Sequence, residues 1–338
     1  MGGAADAPDG AGRGLLGSSP QLHPFEQEQR MKAVVYRNYG GPDVLEYTDV
    51  PDPKLGADAV LVKVRASSVN PVDWKVQAGY LDPVLDAFFP VIPGWDLAGV
   101  VEKVGVGVTE FAPGDEVIGY VREDVVRRGT FAEYVAAPVR TLGPKPANLT
   151  FEQAGGLPLA GLTGYQALTR HLRLRPEETL LVHAAAGGVG SMAVQIGRAL
   201  GARVIGTASA RNHDYLRALG AEPVEYGPGL AERVRALAPG GVDAVLDLIG
   251  GEALAESPAL LAPGGRLASV ADGAVLGLGG SYVFVRPDSL DLAALAGLAE
   301  QGQLTVDVAA VFPLERAADA QRLNMDGHTR GKVIVTVP

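Results

Sequence analysis

The stretch Leu180-Leu181-Val182-His183-Ala184-Ala185-Ala186-Gly187-Gly188-Val189-Gly190-Ser191-Met192-Ala193 joins a short apolar run, a glycine turn and a helix-forming run. Within it, Gly188-x-Gly190-x-x-Ala193 has the form G-x-G-x-x-G/A, in which glycines allow a tight turn and close approach of backbone to a pyrophosphate. Small Ala193 lets the helix pack closely, and the helix start offers free N–H groups and a positive dipole end to an anion. With 45 glycines in the chain, a lone motif would read as a structural turn. The strand before it and the helix after it favour a dinucleotide site.

An NAD-preferring site places Asp or Glu roughly 20 residues further on, against the ribose 2′-hydroxyl. Here the apolar run at 204–207 leads into Ala208-Ser209-Ala210-Arg211-Asn212, with no carboxylate. A hydroxyl and a guanidinium suit a 2′-phosphate, because Ser209 can donate a hydrogen bond and Arg211 can bind two phosphate oxygens at once. NADPH is the expected cofactor. The competing readings are Ser209 as a helix cap and Arg211 as a solvated side chain.

These residues need elements to position them. After residue 150, apolar runs at 180–183, 204–207, 244–247 and 267–270 alternate with helical patterns at 191–200, 213–219, 230–237 and 252–261, which predicts a parallel sheet with helices on both faces. From 31 to about 149 the pattern is short β-runs broken by Gly and Pro, at 31–36, 59–64, 98–104, 116–120 and 131–135, as in a mostly β domain. The tail 332–337 is again strand-like. Residues 1–30 show no hydrophobic period and are expected to be a flexible extension.

Composition narrows the chemistry. The 338 residues carry a net charge of −10 with no basic run, so no nucleic-acid partner is expected. The uncharged stretch 273–285 is well short of the roughly 20 residues that span a bilayer, so no membrane association is expected and the chain is read as soluble and cytoplasmic. The absence of cysteine removes disulfides, Cys-ligated zinc, iron–sulfur clusters and a thiolate nucleophile. His23, His171, His183, His213 and His328 lack ligand spacing, so no metal site is expected.

Seven ordered motifs resemble the zinc-independent quinone oxidoreductase and alkenal/enone reductase branch of the medium-chain dehydrogenase/reductase superfamily. They are Asn70-Pro71-Val72-Asp73-Trp74-Lys75, Pro93-Gly94-Trp95-Asp96, Pro113-Gly114-Asp115-Glu116, Gly129-Thr130-Phe131-Ala132-Glu133-Tyr134, Leu157-Pro158-Leu159-Ala160-Gly161-Leu162-Thr163, the glycine turn, and His328-Thr329-Arg330-Gly331-Lys332. The resemblance implies an α/β fold: a GroES-like, mostly β catalytic domain over 31–150 and 286–338, with a doubly wound Rossmann domain inserted at 151–285. It also implies a homodimer. Zinc-dependent relatives carry Cys where this chain has Asn70 and His-Glu where it has Trp95-Asp96, so zinc-assisted alcohol oxidation gives way to hydride transfer, without flavin, to a quinone or an activated C=C bond.

By the same resemblance, Asn70 and Lys75 lie beside the nicotinamide ribose and substrate, and Thr163 beside the nicotinamide amide. Gly187, Gly188 and Val189 cradle the pyrophosphate, while Ser209, Arg211 and Tyr226 hold the adenosine phosphate. Tyr282, Val283 and Phe284 approach the nicotinamide and help form the dimer, and Lys332 reaches the cofactor from the returning C-terminus. Tyr80 is a candidate pocket wall, with plain packing as the alternative; Lys75 also reads as a solvated lysine. Asp73 and Asp96 are expected to tie turns rather than act as acids. The alternatives to a small-molecule reductase are a crystallin-like nucleotide-binding protein with little turnover and a biosynthetic enoyl reductase.

Overall fold

The computed structural model describes residues 2–3 and 29–338. Apart from residues 2, 3, 29 and 30, the extension expected over 1–30 lies outside the described residues; Arg30 already belongs to the first strand, Arg30–Val35, which pairs antiparallel with Glu46–Pro51.

Six strands form a wholly parallel sheet in the spatial order Glu222–Val224, Arg203–Thr207, Thr179–Val182, Val242–Asp247, Leu261–Ser269, Ser281–Tyr282. Numbered along the chain this is 3-2-1-4-5-6, the doubly wound order. Its central strands are continuous apolar runs because both faces are covered: Leu180, Leu181 and Val182 are fully buried, as are Ala244, Val245 and Leu246. The order reverses at Thr179–Val182, and a crevice opens there at the carboxyl ends of the strands.

The second sheet runs Val308–Pro313, Lys332–Thr336, Ala59–Val69, Asp96–Val104, Glu116–Tyr120, Leu142–Pro144, with Tyr134–Pro138 also paired to Ala59–Val69. The strand-like tail thus returns: Val333 to Thr336 pair antiparallel with Val69 to Ala66. The β-run expected at 131–135 starts only at Tyr134, because residues 131–133 are drawn to the first hairpin through Val34 N–H to Phe131 O and Glu133 N–H to Lys32 O. The helix expected over 252–261 ends at Glu256 and becomes a 3₁₀ turn, Ser257–Leu260, where Pro258 has no N–H to continue the helix.

Helices Ser289–Glu300 and Ala317–Met325, which the sequence reading did not single out, join distant parts of the chain. Arg170 pairs with Asp288 and Asp291 at the start of the first. The second receives Trp74 Nε1–H on Asn324 at 3.1 Å and donates from Gln321 to Gln77 at 3.0 Å, docking the helix Pro71–Gln77 against it.

Candidate active site

The glycine turn is shaped by backbone contacts. Ala184 takes a left-handed conformation (φ 51°), its N–H donating to Thr207 Oγ1 at 3.0 Å. The Gly187 N–H closes the turn onto Ala184 O at 3.1 Å, and the helix Gly188–Ala199 begins. A Cβ on Gly190 would lie 2.3 Å from Ala184 O and 2.7 Å from Ala185 Cα, so only glycine fits. Small Ala193 lets the helix Pro158–Gln166 approach closely, since a Cβ on Gly164 would lie 3.4–3.5 Å from it.

Beside this turn lies a cleft of about 830 Å³. One wall carries Gly187, Ser209, Arg211 and Tyr226, four of the residues expected to hold cofactor. Ser209 stands at the N-cap of the turn Ala210–Asn212 but makes no capping bond to a backbone N–H, and Arg211 forms no ion pair among the described residues. Glu252 and Glu256 line the cleft from the helix Gly251–Glu256, and His328 and Thr329 from the C-terminal segment. His328 and Thr329 were not expected as site residues, although both stand in the motif His328–Lys332. The cradle, the cleft and an unpaired guanidinium together fit a nicotinamide dinucleotide.

Next to the turn lie several of the catalytic candidates. Gly331 bridges to Gly187, and the stem of Lys332 passes Gly188, whose added Cβ would sit 3.0 Å from Lys332 Cδ. The Lys332 ammonium is then buried, donating to Asn70 Oδ1 and lying 3.8 Å from Asp96 Oδ2. Its ammonium faces inward to these groups rather than lining the cleft, while its stem lies along the glycine turn. Asn70 donates to Asp96 Oδ2 at 2.8 Å, so both ends of its amide are engaged within the protein. Asp96 also accepts from Ser68 Oγ and, at 2.6 Å, from the N–H of Leu159. Asp73 accepts the N–H of Asn70 at 2.7 Å in a capping box, the turn-tying role expected of it.

Burial pushes the Asp73 carboxyl up to about 7, against the pull of the Asn70 N–H. Burial likewise raises Asp96, opposed by Lys332, Ser68, Asn70 and Leu159, and lowers Lys332, opposed by Asp96 and Asp73. Three donors converge on the Asp96 oxygens, an arrangement that fits the carboxylate. Asp96 is therefore the hub of a buried polar network rather than a local turn brace. No spacing rule could reveal this, since Lys332 is joined to it only by the fold.

Lys75 and Tyr80 do not join the network. The Lys75 ammonium lies 5.6 Å from the Trp74 ring centroid and makes no hydrogen bond among the described residues, and Tyr80 is 70% exposed. Lys75, expected beside the nicotinamide ribose and substrate, lies on the outer side of the short helix Pro71–Gln77, whose buried residues are Asp73, Val76 and Gln77, and Tyr80, the expected pocket wall, follows that helix. Thr163 is buried, its hydroxyl donating to Leu159 O at 2.7 Å. Val283 is buried, while Tyr282 and Phe284 are exposed at the sheet edge; none of these lines the cleft.

Residues 56–147 match the family described as alcohol dehydrogenase GroES-like domain, and residues 219–335 that described as zinc-binding dehydrogenase. Among the described residues, however, no group of three or more His, Cys, Asp or Glu is placed to hold a metal ion. The chain is 33% identical over 324 residues to a chloroplast envelope quinone oxidoreductase homolog of Arabidopsis thaliana, covering 90% of this chain and 98% of that one. It is 35% identical over 329 residues to an NADPH-dependent alkenal/one oxidoreductase, chloroplastic, of the same plant, covering 91% and 80%. A solved structure titled NAD-dependent alcohol dehydrogenase superposes with a TM-score of 0.83 at 36% identity, covering 91% of this chain and all of that one.

Proposed function

Since the chain belongs to the quinone oxidoreductase and enone reductase branch of the medium-chain dehydrogenase/reductase superfamily, we propose that this oxidoreductase uses NADPH to reduce quinones or the activated C=C bond of α,β-unsaturated carbonyl compounds. Relatives named for NADPH and for NAD both exist, so the cofactor choice rests on this chain's own residues. The carrying observation is the unpaired Arg211, grouped with Ser209 and Tyr226 on the wall of the cleft that opens beside the glycine turn.

When bound, the reduced nicotinamide supplies the hydride. The turn and the start of the helix Gly188–Ala199 hold the pyrophosphate, with Gly190 allowing the backbone to close up. Arg211 and Ser209 meet the 2′-phosphate with charge-assisted hydrogen bonds. Lys332 and Asp96 hold the Asn70 amide in one orientation, so Asn70 positions the site without reorganising during the reaction. A homodimer through the edge strand Ser281–Tyr282 is part of the proposal, supported by the exposed Tyr282 and Phe284 there.

Mixing the purified protein with NADPH and a panel of quinones, enals and enones, while following cofactor absorbance, tests the reading. Acceptor-dependent oxidation of NADPH is expected. Cofactor binding with no turnover on any acceptor would make this a nucleotide-binding protein instead.

A further inference from the structure

The strand Glu116–Tyr120 ends beside the buried network, because Tyr120 is the ladder partner of Asp96 and the Val121 N–H donates to Trp95 O at 2.8 Å. Arg122 follows immediately and enters the seam between the two sheets. Its guanidinium lies over the Phe284 ring, 5.3 Å from the centroid. Phe284 is two residues past the edge strand Ser281–Tyr282, at the carboxyl end of the parallel sheet, where open α/β sheets bind their ligands. The Tyr120 phenol, edge-on to Trp95 at 6.1 Å between centroids, is pushed up by burial and by Asp96 and Asp73, and pulled down by Arg122 through its charge and a side-chain hydrogen bond. Arg122 therefore stands between the ligand end of one sheet and the polar network of the other.

Its charge is poorly balanced from within. A guanidinium does not shed its proton in proteins. The Arg122 side chain is only 11% exposed, and its Nε is buried without a hydrogen-bond partner among the described residues. Its ion partner among the described residues is Asp124, at 3.3 Å through one nitrogen, and the Asp124 side chain is 96% exposed. A contact so open to water contributes little, whereas burying a cation without a buried anion is unfavourable. The nearby carboxylates are committed elsewhere, Asp96 to Ser68, Asn70 and Leu159 and Asp73 to the Asn70 N–H. A guanidinium held against an aromatic ring presents a pre-oriented fork that matches a planar, two-oxygen anion.

Resting on the reductase reading above, we infer that Arg122 anchors a carboxylate carried by the acceptor, so that the substrates are acidic quinones or enones. The reducible bond lies elsewhere on the same molecule; Arg122 sets which acceptors bind and takes no part in electron transfer.

A series of enones of increasing chain length ending in a carboxylate, each paired with its methyl ester, isolates the effect. For the best-fitting length, kcat/KM of the acid is expected to exceed that of the ester by at least about tenfold, mainly through KM. In Arg122→Met, whose apolar stem still covers Phe284, the acid-to-ester ratio is expected to fall to about one, and in Arg122→Lys to an intermediate value. Calorimetric titration of the same pairs into the cofactor-bound protein needs no turnover: tighter binding of the acid, lost in Arg122→Met, supports the inference even if no acceptor is reduced and the reductase reading fails. Equal treatment of acids and esters by the unmodified protein, or a preference that survives in Arg122→Met, overturns it, while reduction of the neutral esters leaves the reductase reading standing.

Discussion

At the scale of single residues, this protein joins an exposed, unpaired charge to a buried and crowded set. Arg211 sits in the open where a phosphate can reach it, and replacing it with Asp supplies the acid that a ribose 2′-hydroxyl would take. Arg211→Asp is expected to shift the NADPH-to-NADH affinity ratio at least about tenfold toward NADH; titration of each reduced cofactor checks this, and an unchanged ratio removes Arg211 from the site. Asp73 makes a different prediction. Its folded carboxyl holds a proton up to about pH 7, where an ordinary Asp loses it near 3.8, so the folded state binds more protons between those values. Its stabilising contribution is therefore present below about pH 3.8 and lost as pH rises through about 7. Asp73→Asn keeps an oxygen for the Asn70 N–H but removes this titration. Relative to the variant, the unmodified protein is expected to lose on the order of a few kcal/mol between pH 4 and 8. A flat difference in denaturation free energy across that range would contradict the assignment.

At the scale of elements, the legible strands are those buried on both faces. Thr179–Val182 and Val242–Asp247 stand out as apolar runs, whereas the edge strands Glu222–Val224 and Ser281–Tyr282 are too short to carry a comparable pattern. The glycine turn was legible because its geometry is local: strand, turn and helix follow one another in the chain. Gly190→Ala tests that geometry, since the new Cβ would meet backbone at 2.3 Å and 2.7 Å, with no flexible side chain to yield. A loss of about 1–3 kcal/mol of stability is expected, with weakened cofactor binding, read by denaturation and cofactor titration. Native behaviour in both would show that the turn has room to spare.

At the scale of the whole molecule, the C-terminal strand holds the two sheets in relation to each other. Lys332–Thr336 lies between Val308–Pro313 and Ala59–Val69, and the preceding Gly331 bridges to the glycine turn. Removing residues 332–338 would strip a mostly buried strand from that sheet and leave Asn70 and Asp96 without their ammonium. Loss of cooperative melting and of cofactor binding is expected, measured by circular dichroism and titration; a truncated chain that keeps both would show that the strand is dispensable. The sequence by itself determined the α/β class and the glycine turn, because these depend on periodicity and on residues near one another in the chain. Only the tertiary structure decided that Lys332 and Asp96 clasp Asn70, that Lys75 and Tyr80 stand outside this network, and that Arg122 faces Phe284. Those partners lie tens to hundreds of residues apart, and a hydrogen bond or an unmet charge depends on which atoms meet across the folded sheets, information that no spacing along the chain contains.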